Sequence, residues 1–253
     1  DKAGGGMLAL HCAIINGAPL HVLEAIFAAN PNAVRQRTTV LKEMTWDGEI
    51  EREGGDLALH LAIKHDADTD VVIGLLQVFP ESATMKTPFL NNGKDVEKSD
   101  GTVVHSTGGF LPLHLALECQ SSSEVVKSLI KANTEAAKDS IATTGMLPLH
   151  YAAKNKASIE VVNELVVLFP QAVHEKTKMA KDSYGSPCEG GGLLALHLAL
   201  MHKAPHAVIK ALINAFPDSV KQKTPTIRSQ VDDDDDDNDG ASWSMPFLQN
   251  DDD

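Results

Sequence analysis

The sequence is poor in what most functional classes require. Its three cysteines, Cys12, Cys119 and Cys188, make no CxxC pair and no even framework, which excludes a disulfide scaffold and a thiolate zinc ribbon. No apolar run approaches the ~20 residues needed to cross a bilayer, and the N-terminus lacks the charged–apolar–small plan of a signal peptide. Aromatic residues make up only 4% of the chain against 43% hydrophobic residues, which points to thin helical layers built from Ala, Leu and Val. Cys12 and Cys119 lie in apolar helical patterns, so buried thiols in a reducing intracellular compartment, cytoplasm or nucleus, are expected. The chain begins at Asp1 rather than Met, and the expectation is a piece cut from something longer.

Positive charge is also scarce. The net charge is −13, and Asp232 to Asp237, Asp239 and Asp251 to Asp253 supply ten of the negative charges. No Lys or Arg follows Arg228, so residues 1–228 stand near −3. Acidity is therefore a property of the tail, and the absence of a basic stripe disfavours nucleic acid as a partner.

What the chain does have is a phrase repeated five times: GMLALHCAI from Gly6, GDLALHLAI from Gly55, GFLPLHLAL from Gly109, GMLPLHYAA from Gly145 and GLLALHLAL from Gly192. The histidines are His11, His60, His114, His150 and His197, separated by 49, 54, 36 and 47 residues. Five residues before each is Gly, suited to a tight turn. Two before is Pro or Ala, and Pro112 and Pro148 fit the first position of a helix. Two after is always Ala, small enough for helices to approach closely.

A second apolar helix follows in every copy. Paired apolar residues recur eleven and twelve after the histidine (Val71 and Val72, Val125 and Val126) and again four residues on (Leu75 and Leu76, Leu129 and Ile130), which is one face of a helix. Asp68, Ser122 and Ser158 stand where an N-cap is wanted, with Pro19 and Pro205 at the same offset. Twenty residues after the histidine comes Pro31, Pro80, Thr134, Pro170 or Pro217, a helix terminator with room for a short extra turn. From that terminator to the next Gly the offsets are 24, 29, 11 and 22 residues. The units are equal and only the connectors vary.

The pattern resembles the ankyrin repeat, whose hallmark is Gly-x-Thr-Pro-Leu-His-x-Ala before a second helix with paired apolar residues. The resemblance covers residues 6–224. It implies an all-α helical solenoid, with a β-hairpin-like finger between antiparallel helix pairs, and protein binding as the activity. Residues 1–228 form the array, and 229–253 an acidic tail, disordered or a truncated further finger. One departure runs through all copies: the hallmark Thr is Leu8, Leu57, Leu111, Leu147 or Leu194, so a hydroxyl-to-histidine contact is ruled out. Repeat logic makes Gly6, His11, Gly55, His60, Gly109, His114, Gly145, His150, Gly192 and His197 scaffold. Neither terminal unit has a polar outer face, so a longer array or a covering partner is expected at the ends.

The connectors hold the unusual residues. TTVLKEM and EIERE flank Trp46-Asp47-Gly48, a hairpin signal. Trp46, Phe89 and Tyr184 lie on connectors and are candidate interface anchors. The first-helix positions four and five after each histidine vary most, which adds Lys64, His65, Glu118, Lys154, Asn155 and His202 as candidate partner contacts.

Catalytic and metal chemistry find little support. The tail's Asp235-x-Asp237-x-Asp239-Gly240 matches half an EF-hand loop, but Pro246 stands where a bidentate Glu is required. His197, His202 and His206 are close in sequence, yet the first is committed to the repeat. G-x-S-x-G and G-x-x-x-x-G-K are absent. The reading is a binding module rather than an enzyme, with no cofactor, no small-molecule substrate and no membrane insertion, and its partner another protein. The rivals are a regulatory or targeting segment of a larger enzyme, such as a kinase or ubiquitin-ligase subunit, and a divalent-ion-responsive acidic protein.

Overall fold

The computed structural model describes residues 7–38, 41–44, 50–88, 96–97, 103–104, 108–178 and 191–224. Among the described residues ten α-helices fall in five pairs: α1 (Ala9–Ile15) with α2 (Leu20–Ala29), α3 (Ala58–Lys64) with α4 (Thr69–Val78), α5 (Pro112–Glu118) with α6 (Ser123–Ala132), α7 (Pro148–Lys154) with α8 (Ile159–Leu168), and α9 (Ala195–Met201) with α10 (His206–Ala215). The fold is all-α. None of these helices is long and apolar enough to cross a membrane.

Each first helix has only seven residues, too few to persist alone in water. Burial holds them. The Leu before each histidine (Leu10, Leu59, Leu113, Leu149, Leu196) is buried. First helices pack on one another in chain order, α1 on α3, α3 on α5, α5 on α7 and α7 on α9. Second helices follow the same order, and one apolar cluster runs through all five pairs. The Ala two after the histidine (Ala62, Ala116, Ala152, Ala199) has no exposed surface, which is why nothing larger than Ala stands there. Each terminator becomes a 3₁₀ turn, as at Pro31–Arg35 and Pro80–Thr84, and tucks Ala33, Ser82, Ala136, Ala172 or Ser219 beneath its unit.

Two connectors carry antiparallel hairpins. Strands β1 (Leu41–Met44) and β2 (Ile50–Glu53) pair with Met44 opposite Ile50, which puts the chain reversal where Asp47-Gly48 predicts it. Strands β3 (Val96–Glu97) and β4 (Val103–Val104) pair likewise in the second connector. Trp46, Phe89, Tyr184, Cys188 and the tail lie outside the described residues.

Two expectations need correction. Cys12 and Cys119 are exposed, not buried: Cys12 lies on the outer face of the first unit, at a position buried in the other four, and Cys119 caps the end of α5. The thiol-burial argument for a reducing compartment therefore falls. Of the three N-cap side chains, only Ser122 accepts a backbone N–H, from Val125 at 3.3 Å. Asp68 makes no capping bond, and the Ser158 hydroxyl instead meets that of Ser123 at 3.0 Å.

The residue six after each histidine is left-handed in every unit: Gly17, Asp66, Gln120, Lys156 and Lys203 have φ between 50° and 68°. There the next N–H reaches back to the buried Ala carbonyl, as from Ser121 to Ala116 at 2.8 Å, closing the first helix in a Schellman-type turn. Only the first unit uses Gly, which takes this conformation without steric cost. Gln120→Gly is expected to raise stability by about 0.5–1 kcal/mol. An unchanged or lowered urea midpoint would contradict that account.

Candidate binding groove

The groove is built by two devices that fix each connector's base, the first to its own unit and the second to the following one. The first is the histidine. In four units the imidazole Nδ1 accepts the N–H of the Leu three residues earlier: Leu8 to His11 at 3.2 Å, Leu57 to His60 at 3.2 Å, Leu147 to His150 at 3.0 Å and Leu194 to His197 at 3.1 Å. In all five units Nε2 faces a backbone carbonyl 25 residues on: Gln36, Met85, Asp139, Glu175 and Gln222, at 2.8–3.2 Å. A ring that accepts at Nδ1 and meets an acceptor at Nε2 is neutral and carries its proton on Nε2. Burial pushes His60, His114 and His150 down to about 4, against a smaller upward pull from their carbonyl partners. Burial lowers His11 as well. The Leu at the hallmark Thr position thus contributes its backbone N–H where a hydroxyl is ruled out.

The second device is a threonine two residues beyond that carbonyl. Thr38 donates its N–H to the Asp56 carbonyl at 2.9 Å, its hydroxyl accepts the Asp56 N–H at 3.0 Å, and its carbonyl accepts the Gly55 N–H at 2.8 Å. Thr87 does the same with Phe110 and Gly109, and Thr177 with Leu193 and Gly192. The third connector has Ile141, which keeps only backbone bonds, to Met146 and Gly145. These bridges need the signature glycines left-handed, and at Gly145 (φ +64°) an added Cβ would also meet Lys178 Cγ at 2.6 Å.

Between these connector bases and the first helices of units one to three runs a groove of about 560 Å³. Its apolar lining is Met7, Ile15, Leu61, Pro88, Phe110 and Leu115; its polar lining includes Asp56, Lys64, His65, Thr38 and Thr87. Asp56 is buried, with Lys64 Nζ 2.6 Å from its Oδ2. Its other oxygen, Oδ1, has no hydrogen-bond partner among the described residues and stands 3.7 Å from His60 Nδ1. Arg37 braces the rim, donating from Nη1 to the Gly55 carbonyl at 2.6 Å and from Nη2 to that of Lys86 at 3.1 Å. The trough therefore combines apolar walls with the Asp56–Lys64 ion pair on its lining.

Of the sequence-derived candidates, Lys64 and His65 line this groove. Glu118, Lys154 and Asn155 form a separate cluster on α5 and α7. There Lys154 Nζ lies 3.2 Å from Glu118, and Asn155 donates to Glu118 at 2.8 Å and to the Leu117 carbonyl at 3.1 Å. Behind it Tyr151 meets His114 and Phe110 edge-on, and burial, with Glu118 nearby, pushes its hydroxyl up to about 12. His202 caps α9, exposed and outside the groove. Among the described residues no three His, Cys, Asp or Glu side chains come together as metal ligands. Asp56, Phe110, Thr38 and Thr87 were missed as candidates. For Asp56 and Phe110 the signal is positional: the residue after the signature Gly varies as widely (Met7, Asp56, Phe110, Met146, Leu193) as the helix positions that were singled out.

No family model and no curated protein matches the chain. Among solved structures it is similar to one of a predatory endopeptidase from Bdellovibrio bacteriovorus in complex with an immunity protein. That match is 17% identical, covers 85% of this chain and 83% of the other, and has a TM-score of 0.48. A likeness of this size bears on neither the fold nor the activity.

Proposed function

We propose that the chain is an ankyrin-type protein-interaction module, an array over residues 1–228 that works by binding, with no chemical step of its own. Its groove takes an extended segment of another protein. The observation that carries this reading is the groove itself: apolar walls drawn from three successive units, with the Asp56–Lys64 ion pair among them. The segment that fits presents an apolar side chain beside a polar group that can meet the Asp56–Lys64 pair. The connectors extend the contact, with Trp46, Phe89 and Tyr184 as candidate anchors.

Selection of a random displayed 12-residue peptide library on the whole chain tests this. Enriched peptides are expected to share an apolar residue next to Arg, Lys, Asn or Gln. They should bind Asp56→Asn or Ile15→Glu at least tenfold more weakly, with the helical circular-dichroism spectrum intact. Replacing Trp46, Phe89 and Tyr184 together by Ala should weaken binding of longer partners and leave the melting profile unchanged. Enriched peptides indifferent to both groove variants would refute the groove as the site.

A further inference from the structure

Because the five units place equivalent side chains at equal offsets from the histidine, exposure can be compared position by position. Three residues after it, Ile14, Ile63, Leu117 and Ala153 are at most 2% exposed, whereas Leu200 is 40% exposed. Twenty-three after it, Val34, Ala83, Ala137 and Val173 are at most 5% exposed, whereas Val220 is 54% exposed. These positions lie on the face that each unit turns to the next. At the other end the pattern inverts. Eleven after the histidine, Val71, Val125, Val161 and Val208 are at most 3% exposed and Val22 is 36% exposed. Cys12 is exposed where Leu61, Leu115, Tyr151 and Leu198 are buried.

Among the described residues the exposed faces are therefore the two halves of one junction, and the chain forms that junction four times within itself. The polar bridge is divided in the same way. Thr224 stands 27 residues after His197, the offset of Thr38, Thr87 and Thr177 from their histidines. Each of those three bridges to the residue following the next signature glycine. In the first unit that residue is Met7, which is exposed.

We propose that two copies of this chain associate head to tail, the fifth unit's Leu200, Val220 and Thr224 docking on Met7, Cys12 and Val22 of the next copy. The occupant is a second copy because the internal junctions show what covers each of these surfaces: the opposite face of a like unit. Such a contact is heterologous, and unless its rotation closes into a ring it propagates into open chains. The charge of −13 on each copy opposes it, and salt relieves that opposition.

Sedimentation velocity of the full chain from about 1 to 300 µM, in 0.15 and 0.5 M NaCl, tests the proposal, these conditions spanning weak association and strong screening. The weight-average mass is expected to rise with concentration beyond twice the 27.1 kDa monomer, and further at high salt. A Leu200→Glu/Val220→Glu variant and a Val22→Glu variant, all at exposed positions, should each stay monomeric with unchanged helical content. Mixed one to one, they should form dimers and nothing larger, since each supplies the face the other has lost. A wild-type chain that stays monomeric throughout overturns the proposal. So does either variant associating like wild type, which would mark a symmetric contact, or a mixture that stays monomeric.

Discussion

Between pH 7 and pH 5 the protein is expected to lose roughly 6 kcal/mol of stability, enough to unfold a typical domain. His60, His114 and His150 carry the effect, since burial holds them near 4 in the folded state against 6.5 in the unfolded chain. Between those values the unfolded chain binds more protons, so stability rises with pH. The full contribution is present above about pH 6.5 and is lost as pH falls toward 4. At pH 5 each histidine accounts for roughly 2 kcal/mol, at about 1.36 kcal/mol per pH unit below 6.5. His11 acts in the same direction. Protonating Nδ1 would also set an N–H against the Leu57 or Leu147 amide that it now accepts. Acidification shrinks the net negative charge and relieves repulsion, so a fall in stability over this range runs against the global charge. Urea melts at pH 7, 6 and 5 at fixed ionic strength check it, and a midpoint that does not move from pH 7 to 5 would refute it.

The second large effect is local. His150→Ala is expected to cost about 3–5 kcal/mol, combining the cavity left by a buried ring with two stranded backbone groups. Those groups are the Leu147 N–H, at the start of α7, and the Glu175 carbonyl, just before the Thr177 bridge to the fifth unit. The damage should therefore reach beyond its own unit. Stability in stacked arrays is a sum of unit and junction terms, so the last pair should melt ahead of the first three. Hydrogen exchange resolved by segment can read this directly. A loss below about 1 kcal/mol, with uniform exchange, would mean that the ring merely fills space.

Much of the architecture is legible in the residues, because helix and turn chemistry repeat at constant offsets. The Gly, the Pro or Ala at the helix start and the paired apolar residues place all ten helices, and Asp47-Gly48 places the first hairpin. The histidine's partner is not legible. Nε2 reaches the carbonyl of Gln36, Met85, Asp139, Glu175 or Gln222, and a backbone acceptor leaves no mark on side-chain identity. The clamp threonines were legible in principle, at one offset in four units with Ile141 the exception, but their role shows only with the bridge in view. Of the groove, Lys64 and His65 were found from helix variability, while Asp56 and Phe110 needed the turn after the glycine to be read the same way. Trp46, Phe89 and Tyr184 remain candidates on sequence grounds alone.

The threonine bridge has a consequence for how such a chain changes over time. Its backbone half, kept even at Ile141, ties each connector at its neck, so the stack meets the same geometry whether the offset from terminator to glycine is 11 residues or 29. By loop-closure entropy alone, that lengthening costs only about 0.9 kcal/mol. New sequence can enter beyond the neck at little thermodynamic penalty, whereas one residue inserted between histidine and threonine would shift the bridge register. The connectors are thus graft points, where sequence can change in length and composition while the helical frame keeps one shape.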